Sequence, residues 1–128
     1  MMGIVRAESL LAAGDGLRAW VRRRWPAAIW HREIPIEGAV HSDFGERRVS
    51  GIIDLLLELE DGYVLVDHKT FPAPTEPAWR AKCVSFVPQL AAYALVLDSV
   101  GEKKVKGCWV HLPVGGGMVE IVVGGGDS

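Results

Sequence analysis

Gly51-Ile52-Ile53-Asp54 and Val66-Asp67-His68-Lys69-Thr70 are the two segments on which the reading of this chain turns. Each sets charge into a run that is otherwise apolar, where burial is costly unless a partner compensates it. Arg48 to Leu59 is rich in Ile, Val and Leu and reads as a strand. Tyr63 to Thr70 reads as another, with Glu60-Asp61-Gly62 as the hairpin turn between them. A two-residue Asp61-Gly62 loop pairs Glu60 with Tyr63 and sets Asp54 opposite Lys69. Side chains alternate with period two, so Asp54, Asp67 and Lys69 then share a face with Ile52, Leu56, Glu58, Tyr63 and Leu65. Ile53, Leu55, Leu57, Leu59, Val64 and Val66 take the other, wholly apolar face. The expectation is a core on one side and two carboxylates with an ammonium, within cross-strand reach, on the other. A slip of one residue would scatter the three across both faces.

Two neighbouring carboxylates raise each other's pKa and need a cation to stay ionised together. Lys69 supplies part of that charge, and a divalent ion would supply more. Oxygen donors without a partnered Cys or His suit Mg²⁺ or Mn²⁺ rather than Zn²⁺. The competing reading is a structural Asp–Lys ion pair that ties the hairpin together. Farther on, Gln89 and Tyr93 stand four residues apart and share one helical face, as site residues or as a capping Gln and a core Tyr.

Together with Gln89-Leu90-Ala91-Ala92-Tyr93, the two strand segments resemble the PD-(D/E)XK nuclease superfamily. Within it they are similar to the RecB/AddA-type nuclease domain at the C-terminus of bacterial helicase–nucleases. There a G-h-h-D strand carries the first aspartate, D-x-K-T follows on the next strand, and Q-x-x-x-Y opens the following helix. Arg32-Glu33-Ile34-Pro35-Ile36 is similar to the R-E-h-P-h strand that precedes them, and the resemblance runs from Trp25 to Val122.

The resemblance implies a mixed α/β, restriction-endonuclease-like core in the order αβββαββ. It also implies a DNA nuclease dependent on Mg²⁺ or Mn²⁺, of exonuclease type, acting in recombination and repair. Asp54, Asp67 and the backbone carbonyl of His68 would hold the metal. Lys69 would orient the attacking water, and Gln89 and Tyr93 would position the strand or the water. Arg47, Arg48, Thr70, Arg80 and Lys82 are the flanking candidates for DNA contact, and Glu33 is an acidic residue placed to support the site. DNA with single-stranded character or duplex ends is the implied substrate, and a helicase subunit or domain the implied partner. The alternative is a weak or silent nuclease-like module that binds DNA or the helicase.

One departure stands out. Relatives of this type carry an upstream R-G-x-x-x-H helix whose histidine completes the metal site. That pattern does not occur here, and no histidine precedes His31. The implied consequences are a C-terminal piece of a larger helicase–nuclease, or a depleted metal shell. No G-x-x-x-x-G-K-[ST] motif is present, so ATP coupling would come from other polypeptide.

At 128 residues the chain reads as one domain, 1–128, and its 49% hydrophobic and 23% charged content suits a folded protein rather than a disordered one. No apolar run of membrane-span length and no signal peptide are read, which points to a cytoplasmic protein with no membrane partner. Cys83 and Cys108 are too few for a disulfide framework and read as buried thiols. A net charge of −2 means that DNA affinity must come from a local basic patch and the metal. Ala7 to Arg24 reads as a helix, weakened at Gly14-Asp15-Gly16 and stopped by Pro26. Its Arg22-Arg23-Arg24 end suits the negative helix pole and reads as a solvated terminus. Ile29–Glu37 follows as a strand, then Gly38–Arg47 as a polar connection. Phe71–Pro77 is irregular, Trp79–Phe86 a short helical turn and Gln89–Val100 a helix, with Val105–Leu112 and Met118–Val123 as the last strands. The ring of His68 turns toward apolar core, and His31, His41 and His111 stand isolated. The five tryptophans are core, with Trp79 alone placed to stack on a base.

Overall fold

A computed structural model describes residues 2–9, 16–70, 76–112 and 117–123. The elements run β1 (Met2–Ser9), α1 (Leu17–Arg24), β2 (Ile29–Ser42), β3 (Gly45–Leu59), β4 (Gly62–His68), α2 (Glu76–Cys83), a 3₁₀ turn (Val84–Phe86), α3 (Val87–Val100), β5 (Val105–Leu112) and β6 (Gly117–Val123). They form a six-stranded sheet ordered β1-β6-β5-β4-β3-β2. Every neighbouring pair is antiparallel except β4 with β5, which are parallel. A parallel step needs a long crossover, and α2 and α3 provide it. The expected mixed α/β core is present, with β1 added before it and α2 inside the crossover. The first helix is shorter than the sequence suggested: Ala7 to Ser9 belong to β1, and α1 starts after an extended Gly16. The Phe71–Thr75 part of the Pro-rich stretch and the Gly14-Asp15 break lie outside the described residues.

Gly38–Arg47 is not a loop but the far end of a long β2–β3 hairpin, turning at Asp43-Phe44 with Gly45 at φ 108. The hairpin bends over α3. At Gly38 a side chain's Cβ would stand 2.7 Å from Val96 Cγ1, so only glycine lets the strand pass that closely.

Both faces of the sheet bury apolar cores, which corrects the expectation of one core face and one charged face. On the α3 side, Ile53, Leu56, Leu65, Val110 and Val119 pack with Leu90, Tyr93 and Val96. On the α1 side, Leu55, Leu57, Val64, Val66, Trp109 and Met118 pack with Trp20 and Val21. Ile53 and Leu55 therefore face opposite ways although they are two residues apart. The same reversal occurs in β2 between Trp30, on the α1 side, and Ile34, on the α3 side. Between them lie Glu33 and Asp54. Glu33 adopts φ 53, a left-handed conformation that costs a non-glycine residue about 1 kcal/mol or more, while the flanking pairs Arg32↔Leu55 and Ile34↔Ile53 stay in register. The strand pair thus turns over at the first candidate aspartate.

The continuous helical stretch Ala81–Val100 does reach the length and apolarity of a membrane span, with a mean hydropathy of 1.5, contrary to the sequence reading. Half of it is buried inside this fold, where Val87, Leu90, Tyr93 and Val96 lie against the sheet. Cys83 and Cys108 are free and buried, and burial pushes their thiols up to about 11 and about 12.

Candidate active site

Hairpin pairing sets the site. Leu59 pairs with Gly62 and Leu55 with Val66, so the two turn residues are Glu60-Asp61 and not Asp61-Gly62. Gly62 lies inside the ladder, where a Cβ would stand 2.9 Å from the Lys104 carbonyl and overlap the Lys106 side chain. Continuing this register brings Asp54 level with Asp67 rather than with Lys69. A shift of two residues preserves the alternation from Leu55 to Val66, and the turnover beyond Leu55 still leaves Asp54 beside Asp67, so the group survives with different neighbours.

Asp67 is buried at 5% exposure near the end of β4. Lys69, just past the strand, is held by its backbone N–H donating to the His111 carbonyl at 3.0 Å. Its Nζ stands 3.1 Å from Asp67 Oδ2 and 4.9 Å from the centre of the Phe86 ring, which shields it. The ammonium forms an ion pair with Oδ2, and that oxygen has no further hydrogen-bond partner among the described residues. Burial raises the Asp67 carboxyl to about 6; Lys69 works against that rise, and the neighbouring Asp54 carboxyl adds to it. Asp54 is anchored across the hairpin, its Oδ2 accepting the His68 backbone N–H at 2.8 Å.

These observations fit a hard divalent cation. A buried carboxylate is raised despite its lysine, two carboxylates are close enough to oppose each other's ionisation, and one ammonium does not balance them. The donors are all oxygen. No cluster of three or more His, Cys, Asp or Glu side chains occurs among the described residues, so backbone and water would complete the coordination.

The helix contributes from the other side. Gln89 Nε2 donates to the Tyr93 hydroxyl at 3.3 Å, and that hydroxyl lies against the backbone of Gly51, where any Cβ would collide with it. The glycine of G-h-h-D thereby makes room for the tyrosine of Q-x-x-x-Y. Both helix residues line a cleft of about 400 Å³ with Arg47, Arg48, Ser50 and Ser85. Asp54, Asp67 and Lys69 do not line that cleft. Arg48 reaches Glu37 at 3.4 Å, an exposed and therefore weak pairing. Lys82 and Thr70 are exposed, and the Trp79 and Arg80 side chains fall outside the described residues. Glu33 is also exposed, and its left-handed backbone lies across from Asp54.

Two histidine pairings escaped the sequence reading. His68 Nδ1 and His111 Nδ1 lie 3.0 Å apart, on the adjacent parallel strands β4 and β5. Burial, with His68 alongside, lowers His111 to about 4. His31 meets Glu58 at 2.9 Å. Neither His31 nor His111 is isolated, and only the strand order could have shown it. Of the tryptophans, Trp20 and Trp109 are core, at 3% and 1% exposure, whereas Trp25 and Trp30 are half-buried.

The sequence profile of the PD-(D/E)XK nuclease superfamily matches residues 5–123. Among curated proteins, the chain is 34% identical over 117 residues to an ATP-dependent helicase/nuclease subunit of Desulforudis audaxviator (strain MP104C), covering 87% of this chain and 9% of that protein. It is 39% identical over 67 residues to the protein of the same name from Pelotomaculum thermopropionicum, covering 50% of this chain and 5% of that one. A third match, 34% over 73 residues, is the corresponding helicase/nuclease protein of Thermoanaerobacter sp. (strain X514), covering 57% of this chain and 6% of the relative. The chain therefore spans less than a tenth of the length of these relatives.

Proposed function

The chain belongs to the PD-(D/E)XK nuclease superfamily, and from that premise we propose that it is a DNA nuclease dependent on Mg²⁺ or Mn²⁺, of exonuclease type, working beside a helicase in recombination and repair. The observation that carries the reading is Asp67: a buried carboxylate raised to about 6 beside Asp54, even with the Lys69 ammonium paired to its Oδ2. Asp54, Asp67 and the His68 carbonyl would hold the ion. An extended residue sends its N–H and C=O to the same side of the strand, and the His68 N–H already meets Asp54. When bound, such an ion polarises the scissile phosphate and lowers the pKa of its water.

The remaining chemistry belongs to this chain's own groups. Lys69 Nζ orients the attacking water and offsets charge as the phosphorus becomes five-coordinate, a role worth roughly 10²–10³ in rate. Phe86 keeps bulk water from that ammonium. The His68 N–H fixes Asp54 so that one of its oxygens stays oriented before substrate arrives. Gln89 and Tyr93 position the strand, and Arg47 and Arg48 hold phosphates along the cleft that the four residues line. Thr70, Arg80 and Lys82 extend the cationic and polar border downstream of Lys69.

End-labelled oligonucleotides test the reading. Metal-dependent shortening should be lost in Asp67→Asn and fall by roughly 10²–10³ in Lys69→Ala. Calorimetry should show Mn²⁺ binding to the wild-type chain and none to Asp67→Asn. Equal metal affinity in the two would overturn the assignment.

A further inference from the structure

The face of the sheet opposite Asp67 carries a charge that the cleavage reading does not use. From Gly16 to Arg32 the sequence holds five arginines and no acidic residue, in a chain of net charge −2, so the remainder carries −7. α1 lies on the sheet through Leu17, Trp20 and Val21, which turns its arginines outward. Helix-pole electrostatics account for Arg22, Arg23 and Arg24 in the last turn. They do not account for Arg18, which sits in the first turn where a cation is disfavoured, nor for Arg32, which is on β2. Gathering like charges has a cost, and an anion relieves it.

Two half-buried rings lie among these cations. The Arg24 guanidinium is 5.2 Å from the Trp25 ring centre and 5.1 and 5.0 Å from those of the buried Trp20 and Trp109, and Arg18 and Arg32 are 5.9 and 5.2 Å from that of Trp30. A positive surface interleaved with partly exposed indoles matches a phosphodiester whose bases are free to stack. A duplex keeps its bases inside and would leave the rings unused.

We propose that this arginine–tryptophan face is a second surface that binds single-stranded DNA, separate from the cleavage site. It makes binding independent of the metal and of cleavage, and guides a strand onto the domain from the α1 side.

The test uses the full chain carrying Asp67→Asn, in EDTA, so that cleavage plays no part. Fluorescein-labelled oligo-dT should bind and quench tryptophan emission. Arg18→Ser/Arg22→Ser/Arg32→Ser should weaken binding tenfold or more and flatten the slope of log K against log salt by about two. Trp30→Ala should weaken it about tenfold with the slope kept, and Trp30→Phe should restore most of the loss. If the triple variant fails to fold, Arg22→Glu alone, at an exposed position, should still weaken binding about threefold. Oligo-dT affinity and salt slope unchanged in the triple variant, or in Arg22→Glu should it replace the triple variant, would overturn the proposal. So would a poly-glutamate competitor that binds as tightly as oligo-dT and is insensitive to Trp30→Ala, which would make the face a protein interface. Loss of cleavage in the Lys69→Ala chain with oligo-dT affinity unaltered keeps the two surfaces distinct.

Discussion

Each end of the β3–β4 hairpin sets a carboxylate against a lysine, and the two ends differ in whether the charges balance. At the turn end, Glu58 accepts from Lys103 at 2.8 Å and from His31 at 2.9 Å, and Lys103 also donates to the Leu59 carbonyl at 2.8 Å. The Lys103 hydrogen bond, followed by that of His31, holds Glu58 below the usual carboxylate range, and Lys103 is raised in return. At the open end, Asp67 sits above its usual range: burial and the second carboxyl raise it more than the Lys69 ammonium, 3.1 Å away, lowers it. The first arrangement is what a structural ion pair looks like in this protein. The second is an ion pair whose carboxylate stays above its usual range, and that difference is what the proposed cation site rests on.

The largest effect that can break this contrast comes from exchanging each carboxylate for its amide. Asp67→Asn should abolish cleavage yet stabilise the metal-free fold. The folded carboxyl titrates near 6 against an ordinary 3.8, so folding favours its protonated form. That contribution is fully present below about pH 4 and is lost as pH rises through 6. At pH 8 in EDTA, Asp67→Asn should therefore melt later than wild type by roughly 2 kcal/mol, after allowance for residual solvent screening, and the gain should vanish near pH 4. Glu58→Gln should keep cleavage within about twofold, because nothing in its surroundings touches the site. An Asp67→Asn chain that melts earlier than wild type at pH 8 would make Asp67–Lys69 a structural pair after all.

An intermediate effect concerns how the helix reaches the open end. Gly51→Ala places a methyl where the Tyr93 hydroxyl lies. It should displace the ring, break the Gln89 contact and lower cleavage about tenfold while leaving metal affinity intact. In a Tyr93→Phe background, which lacks the hydroxyl, the same substitution should cost clearly less. Additive losses in the double variant would mean that the glycine and the tyrosine act separately.

The two ends also differ in how well the sequence disclosed them. Asp54, Asp67 and Lys69 were legible because charge inside Ile-, Leu- and Val-rich strands is a local anomaly, and period two assigns it a face. The partner across the hairpin was read wrongly. Asp61-Gly62 is a strong turn signal, but at Gly62 a Cβ would press on the Lys104 carbonyl and the Lys106 side chain, a long-range requirement that mimics a local one. The second buried face was hidden for a similar reason. Strict alternation hands Ile53 and Leu55 to one side, and only the left-handed turn at Glu33, on another strand, reverses it. Glu58 gave no signal at all, since His31 and Lys103 reach it from strand and loop segments far away in sequence.

A weaker effect tests the metal shell. Asp54 and Asp67 are the two carboxylates that the proposed site offers an ion, with no cluster of three acidic, His or Cys side chains among the described residues. The chain should cleave better with Mn²⁺, which accepts varied coordination, than with Mg²⁺, which demands near-ideal octahedral geometry. Equal cleavage with the two ions would show that the two carboxylates, the carbonyl and water already suit an octahedral ion.

The smallest effect, and the sharpest in sign, lies at the turn end. Lys103→Met leaves Glu58 with His31 alone and removes the donor to the Leu59 carbonyl. Both partners of that ion pair are in contact with solvent, so the loss should be slight, about 2 °C or less in melting temperature at neutral pH and low salt. Its pH dependence runs opposite to that of Asp67. Glu58 titrates below its ordinary 4.5 when folded, so the stability it contributes is present above that value and fades as pH falls through the lowered one. The Lys103→Met deficit should accordingly disappear in acid and shrink in 1 M salt, where the Debye length is about 3 Å. The Asp67→Asn gain should also disappear in acid, but with the other sign, wild type recovering toward the variant rather than falling to it. Melting curves of the three chains, followed from pH 8 down through the lowered range of Glu58, would therefore converge from opposite sides. If both variants instead lay on the same side of wild type at pH 8, the two ends of the hairpin would be doing the same structural job, and the case for a cation at the open end would lose its electrostatic basis.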